Sequence, residues 1–170
     1  FKKRIPWLLV LMLSATFTGS IITRFEDALS KAVILTAFIP MLMGSGGNAG
    51  GQSSVTIIRG LSLGEVSLSD ILRVLWKELR VALLCGSVMA VAAFGKIMLV
   101  DRPSVSIALA VSLTLVITVV IAKLVGAGLP ILAKRVGLDP AVMASPFITT
   151  IVDAVSLMIY FTISSNILDL

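Results

Sequence analysis

The sequence contains no histidine and only one cysteine, Cys85. Without histidine, every catalytic mechanism that uses a histidine base is excluded, and one thiol per chain supports neither a disulfide framework nor a Cys/His metal cage. Charged residues are also scarce, because Asp, Glu, Lys and Arg make up only 14% of the 170 residues. Soluble domains contain roughly 25% charged residues, so the composition excludes an ordinary soluble domain.

Hydrophobic residues, in contrast, make up 58% of the chain, and the mean hydropathy is +1.10. A helix that crosses a bilayer needs about 20 mostly apolar residues, and five stretches meet this requirement. Their approximate ranges are 5–23, 28–58, 81–100, 104–133 and 140–168. The sequence therefore predicts an all-α integral membrane protein, with five transmembrane helices that form a single domain over residues 1–170.

The basic residues are distributed unequally between the two sides of the predicted membrane. Nine lie on the side of the N-terminus: Lys2, Lys3, Arg4, Arg59, Arg73, Lys77, Arg80, Lys134 and Arg135. Four lie on the other side: Arg24, Lys31, Lys96 and Arg102. By the positive-inside rule, we expect a multi-pass protein of the plasma (inner) membrane with a cytoplasmic N-terminus and an external C-terminus. The net charge of +5 then reflects topology, and nucleic acid is not an expected partner.

Two further expectations concern the cytoplasmic side. Lys123, near the inner end of the fourth span, is expected to extend to the lipid headgroups. Residues 66–80 are expected to form a separate interfacial helix before the third span, because apolar and basic side chains fall on opposite helical faces. The apolar residues are Leu68, Ile71, Leu72, Leu75 and Leu79, and the basic ones are Arg73, Lys77 and Arg80.

Asp153 is an acidic residue deep within the fifth predicted span. It lies 13 residues after Pro140, or about 20 Å along a helix, which places it near the middle of the bilayer. An ionised carboxylate at that depth costs about 3 kcal/mol or more. Such a residue is either an ion or proton site or a structural group, protonated and bonded to a neighbouring helix or paired with a buried cation.

Polar residues accompany Asp153 along one helical face at spacings of three or four. They are Ser145, Thr149, Asp153, Ser156, Tyr160 and Ser164. A stripe of oxygen atoms centred on a carboxylate is what a water-lined path requires, and we expect this one to line such a path from one interface to the other. Helix packing alone is the alternative, since a hydroxyl can bond the preceding turn of its own helix.

The second span contains a glycine-rich block, Gly44-Ser-Gly-Gly-Asn-Ala-Gly-Gly-Gln52. Gly46 with Gly50, and Gly47 with Gly51, each have the GxxxG spacing that lets another helix approach closely. Asn48 and Gln52 lie one turn apart and can bond that neighbour or face a water-filled cavity. Close packing alone and packing that also shapes a pore are both consistent with this pattern.

The glycine block and the C-terminal segment resemble the membrane domain of MgtE-type magnesium channels and transporters, a family related to solute carrier family 41. The similarity extends from the first span to the last. The residues that carry it are Pro40, Gly44, Gly46, Gly47, Asn48, Gly50 and Gln52, then Leu138-Asp139-Pro140-Ala141, Ser145-Pro146, Thr149, Asp153 and Tyr160.

The resemblance implies a homodimer in which the second and fifth helices line a pore on the two-fold axis. Mg²⁺ is the implied transported ion, with Asp153 as the pore acid and Asp139 as an acidic residue before the fifth helix. Thr149 matches a position whose backbone oxygen matters more than its side chain. Asp139 also fits a helix N-cap followed by Pro at the first helical position. Further pore or packing candidates are Asn48, Gln52, Gly47, Gly51, Ser145 and Ser156.

The residue types support a hard divalent cation as the ligand. Two Asp153 carboxylates facing each other across a two-fold axis supply two negative charges for one ion. Oxygen ligands without histidine or thiolate favour Mg²⁺, with Mn²⁺ and Ca²⁺ as alternatives, over Zn²⁺ or Cu²⁺. The family implies a cytoplasmic sensor made of an N domain and paired CBS modules, and no such segment occurs within these 170 residues.

Channel-like conduction driven by the electrochemical gradient is the leading functional hypothesis. The alternative is a proton- or sodium-coupled carrier in which Asp153 alternates between protonated and ion-bound states. An enzyme is not expected, since an intramembrane aspartyl hydrolase needs two carboxylates in one site. A purely structural subunit leaves the acid at mid-depth unexplained.

Overall fold

The computed structural model describes residue 1 and residues 5–169, apart from the side chains of residues 7, 28 and 142–146. Within this part the secondary structure is entirely helical, which confirms the all-α prediction. The α-helices are α1 (Ile5–Arg24), α2 (Glu26–Lys31), α3 (Ile39–Leu63), α4 (Ile71–Lys96), α5 (Val105–Arg135) and α6 (Pro140–Leu168). Short 3₁₀ segments, Val33–Phe38 and Leu68–Asp70, precede α3 and α4, and a π-helical turn, Ile97–Asp101, follows α4.

Four helical stretches among the described residues are long and apolar enough to cross a membrane: Val33–Leu63, Leu68–Asp101, Val105–Arg135 and Phe147–Leu168. A shorter apolar helix, Leu8–Arg24, corresponds to the first predicted span. All five predicted spans are therefore helical, and the fifth has the predicted bounds. The residues after Leu63 and those around Arg135 lie at the same end of the bundle, where the Lys134 ammonium donates to the Leu61 carbonyl oxygen at 3.0 Å. We call this the basic end.

The predicted interfacial helix is not a separate element. Residues 71–96 form one continuous helix, so the amphipathic stretch is the first part of α4 and the third span is its continuation. The segment between Ile71 and Val81 contains no glycine, proline or asparagine, and its Leu, Arg, Lys and Glu residues favour helix. Nothing in this segment therefore ends the helix at Arg80, whose guanidinium lies 6.0 Å from the Trp76 ring.

The second predicted span, in contrast, is interrupted near its start. α2 ends at Lys31, and a 3₁₀ segment leads into α3, where Pro40 occupies the first turn. A proline is accommodated there because its missing N–H has no partner in a first turn. α3 then continues past the predicted limit of residue 58 to Leu63, and Gly64 ends it in a left-handed conformation with φ of 74°.

α5 is the central helix of the bundle, because α3, α4 and α6 all pack against it, whereas α1 packs mainly on α6. Glycines allow the closest of these contacts. A Cβ added to Gly126 of α5 would collide with the carbonyl group of Gly50 on α3. The α3 backbone is therefore in direct contact with α5, which fixes the distance between these two helices.

Candidate functional site

α3 presents its two glycine pairs to different surroundings. A Cβ added to Gly46 would lie 2.6 Å from Val152 of α6, and one added to Gly50 would lie 2.9 Å from the Ala122 carbonyl oxygen. Gly46 and Gly50 thus form the close packing face that their spacing predicts. Apart from the neighbouring part of α3 itself, no atom among the described residues lies within 4 Å of a Cβ added to Gly47 or Gly51, so these two glycines do not mediate a close helix contact within the described chain.

Gly47 and Gly51 instead border a cleft of about 410 Å³ between α3 and α6. This cleft brings together Gly47, Gly51 and Thr149, which are three of the predicted candidates. Asn48 and Gln52 are exposed on the adjoining surface of α3, where they line a shallow cavity with the same two glycines. The structure therefore collects most of the predicted pore residues on one face.

Asp153 lies one helical turn after Thr149 on α6 and is half-buried. The preceding residue, Val152, packs on Gly46, so Asp153 is level with the beginning of the glycine block. Within the described part of the chain, its carboxylate has no hydrogen bond or ion pair. Neither structural alternative, a bond to a neighbouring helix or a buried cation, is therefore observed there.

The polar stripe on α6 does not continue as an exposed surface along the C-terminal half of the helix. Ser156 and Ser164 are buried, and Tyr160 is fully buried and donates a hydrogen bond to the Leu35 carbonyl oxygen at 2.9 Å. The prediction of a stripe that lines water from end to end is therefore wrong for a single chain. The segment before α3 covers this half of α6, and Ser156 belongs to the packing against Gly46. The side chain of Ser145 lies outside the described residues.

Asp139 is the N-cap of α6, as its position before Pro140 predicts. Its Oδ1 atom accepts a hydrogen bond from the Ala141 backbone N–H at 2.9 Å, and the residue is exposed. Ala141 lines the cleft between α3 and α6, at the same end as Arg59. The mouth of the cleft is therefore flanked by one carboxylate and one guanidinium.

The metal-binding capacity of one chain is small. Among the residues described, no three Asp, Glu or Cys side chains lie close enough together to hold a metal ion. Asp153 therefore supplies a single negative charge at its level of the bundle.

A buried polar cluster of three residues was not predicted. The Lys123 ammonium of α5 lies 3.4 Å from Glu78 Oε2 of α4 and 3.1 Å from Ser53 Oγ of α3, and the Ser53 hydroxyl donates to Glu78 Oε2 at 2.6 Å. The expectation that Lys123 extends to the lipid headgroups is therefore wrong, since its ammonium is buried and pairs with the Glu78 carboxylate. The sequence carried one signal: Glu78 follows Ile71 by seven residues and so falls on the apolar face of its helix.

Comparison with known proteins places these observations in one family. The model of the family described as "MgtE: Divalent cation transporter" matches residues 39–163. The protein named magnesium transporter MgtE from Thermus thermophilus is 38% identical over 166 residues, 98% of this chain. Its namesakes from Bacillus subtilis and Enterococcus faecalis are 36% and 33% identical over 96% of the chain. The chain spans 36% of the length of each of these curated relatives. It belongs to the MgtE family of divalent cation transporters.

Proposed function

We propose that two copies of this chain form a pore through which Mg²⁺ crosses the membrane down its electrochemical gradient. The observation that carries the proposal is the surroundings of Asp153: its carboxylate has no bonded partner among the described residues, and the residue lies one helical turn after Thr149, which lines the cleft between α3 and α6. The names of the relatives support Mg²⁺ as the transported ion.

The chemistry of the ion requires a second chain. Mg²⁺ gives up its water ligands reluctantly and binds through a few carboxylates together with retained waters. One Asp153 provides half of the charge of the ion, whereas two copies related by a two-fold axis provide all of it. The cleft beside α3 is bordered by Gly47 and Gly51, which have no side chains, and this leaves room for an ion with its hydration shell.

The remaining candidates have roles that follow from their places along the cleft. Thr149 offers oxygen atoms one turn from Asp153, between that residue and the basic end. Asp139 uses one carboxylate oxygen as a helix cap, and its charge at the mouth attracts a dication toward the cleft. Asn48 and Gln52 provide neutral hydrogen-bonding groups that can contact the waters of the ion.

Uptake into liposomes tests the role of Asp153. Asp153→Asn keeps the size of the side chain and removes its charge, so we expect the initial rate of Mg²⁺ uptake to fall at least about tenfold while the dimer persists. Asp27→Asn on α2, an exposed residue, is the matched control and is expected to transport normally. Uptake by Asp153→Asn at the rate of the parent protein would remove Asp153 from the path.

A further inference from the structure

We propose that Ser53, Glu78 and Lys123 are positioning residues, which hold α3 at a fixed rotation and height relative to α4 and α5. This inference rests on the proposed function, because it requires that α3 border the ion path. None of the three side chains needs to touch the ion. Their effect on transport is to keep Gly47, Gly51 and the neighbouring polar residues of α3 aligned with Asp153 of α6.

The first argument is that the hydrogen bonds and the ion pair within the cluster connect three helices. The Ser53 hydroxyl of α3 donates to Glu78 and accepts from Lys123, so both polar functions of that hydroxyl are used. The Lys123 and Glu78 side chains are only 8% and 12% exposed. Within a bilayer, such charges are tolerated only when they are paired. Moving α3 relative to α4 and α5 would break both bonds of Ser53 and leave buried polar groups unsatisfied.

The second argument is that stability alone does not account for the cluster. Replacing a buried ion pair by apolar residues of similar volume is often neutral or stabilising, because the cost of removing two charges from water is large. A directional polar contact can instead select one arrangement of the helices. Glu78 and Lys123 are therefore expected to fix the arrangement of the helices, whereas the apolar side chains around them contribute stability.

The third argument is that α3 needs such a contact at this place. Its closest contacts with α5 and α6 are made at Gly46 and Gly50, which have no side chains to interlock with a neighbouring helix. Its buried side chains Ile57 and Leu61, which pack with α5, lie beyond Ser53 toward the basic end. A smooth surface allows rotation and sliding more readily than interdigitated side chains do. Ser53 follows Gly50 by three residues and supplies the directional bonds that the glycines lack.

The fourth argument is the place of the cluster relative to the cleft. Ser53 lies between Gln52, which is exposed on the open face of α3, and Ser54, which lines the cleft. Lys123 itself borders a cavity of about 470 Å³ that Asn48 and Gln52 also line. Ser53 is seven residues, or about 10 Å along the helix, from Gly46 at the level of Asp153. A displacement of α3 at the cluster therefore changes the surface that faces the ion path.

Two variants test the proposal in liposomes. Ser53→Ala removes the bonds to α3 and leaves the ion pair, whereas Glu78→Met/Lys123→Met removes the ion pair and both bonding partners of Ser53 without leaving an unpaired charge. We expect both proteins to be folded dimers. Their maximal rate of Mg²⁺ uptake should be at least about threefold lower than that of the parent protein, with KM within about twofold, because the ion ligands are unchanged. Thermal unfolding of the double variant should occur at or above the temperature of the parent.

The controls are a serine and an ion pair with no bond between transmembrane helices. Ser62→Ala removes a hydroxyl of α3 whose one bond among the described residues is to the Ile58 carbonyl of its own helix. Lys96→Met/Asp101→Met removes an ion pair of 2.6 Å that is partly exposed to solvent. Both controls are expected to keep a maximal rate within about twofold of the parent's.

The outcomes separate this inference from the proposed function. If the parent protein fails to transport Mg²⁺, the proposed function has failed. If the parent transports and both test variants have maximal rates within about twofold of it, only the positioning role is overturned. Loss of folded protein in both test variants also overturns it, because the cluster would then be a requirement for folding. A raised KM without a lower maximal rate contradicts it too, since that result indicates an effect on ion binding.

Discussion

Asp139 combines two roles that one pair of substitutions can separate. Its Oδ1 atom caps α6, and its charge lies at the mouth of the cleft. Asp139→Asn keeps a good cap and removes the charge, whereas Asp139→Ala removes both. We expect Asp139→Ala to lower the free energy of unfolding by about 1 kcal/mol and Asp139→Asn to leave it nearly unchanged. Both variants should raise the KM for Mg²⁺ uptake. A KM for Asp139→Asn equal to that of the parent would leave capping as the only role.

The residues that sequence patterns could identify are those whose position is unusual for a membrane helix. Asp153 and Asp139 belong to this group, because a carboxylate at mid-depth and an Asp-Pro helix start are visible without knowledge of neighbours. The partner of Lys123 was not identifiable in this way. Glu78 is 45 residues away from it in the chain, and the pairing of these two charges depends on how α4 and α5 pack.

At the scale of the helix, a glycine-to-alanine substitution is expected to affect stability differently at Gly126 of α5 and at Gly51 of α3. Gly126→Ala places a methyl group against the Gly50 carbonyl. Because neither backbone can move without separating α3 from α5, we expect the free energy of unfolding to fall by about 1–3 kcal/mol. The methyl group of Gly51→Ala meets no atom of the described chain within 4 Å outside the neighbouring part of α3, so this substitution should not destabilise the fold. Thermal unfolding in detergent measures both effects, and equal loss of stability in the two variants would contradict the assignment of faces.

The glycine spacing predicted that α3 packs closely, but it could not indicate which pair lies inside. Gly46/Gly50 and Gly47/Gly51 have the same spacing and differ only by about 100° of rotation around the helix. Similarly, the amphipathic pattern of residues 66–80 is common to a surface helix and to the first turns of a longer one. The choice in each case depends on the neighbouring helices, which local periodicity does not describe.

At the scale of the whole molecule, the open face of α3 predicts where a second copy binds. Under the proposed dimer, Gly47 lies at or near the two-fold axis, so Gly47→Val should weaken association of the chains without unfolding them. The fraction of dimer at low protein concentration, measured by mass photometry in detergent, tests this expectation. Gly44→Val, also at an open position on α3 but one turn further from the cleft, is the comparison. An unchanged dimer fraction in Gly47→Val would place the interface elsewhere.

The driving force for transport is also a property of the complete assembly. A pore conducts Mg²⁺ in proportion to the membrane potential, which contributes about 2.3 kcal/mol per elementary charge for each 100 mV. We therefore expect uptake into liposomes to follow an imposed potassium diffusion potential when the pH and sodium concentrations are equal on both sides. Uptake that requires a gradient of protons or sodium would instead establish the coupled carrier.

Gly47 and Gly51, which border the cleft between α3 and α6, leave one side of α3 as backbone without side chains over about one turn. These two glycines have no side chain that could rotate to widen or block an ion path beside them. A change of width on this side of the path is therefore expected to come from movement of whole helices. The corresponding opening and closing are expected on the microsecond-to-millisecond timescale of collective motion, far slower than the picosecond-to-nanosecond flips of a gate built from side chains.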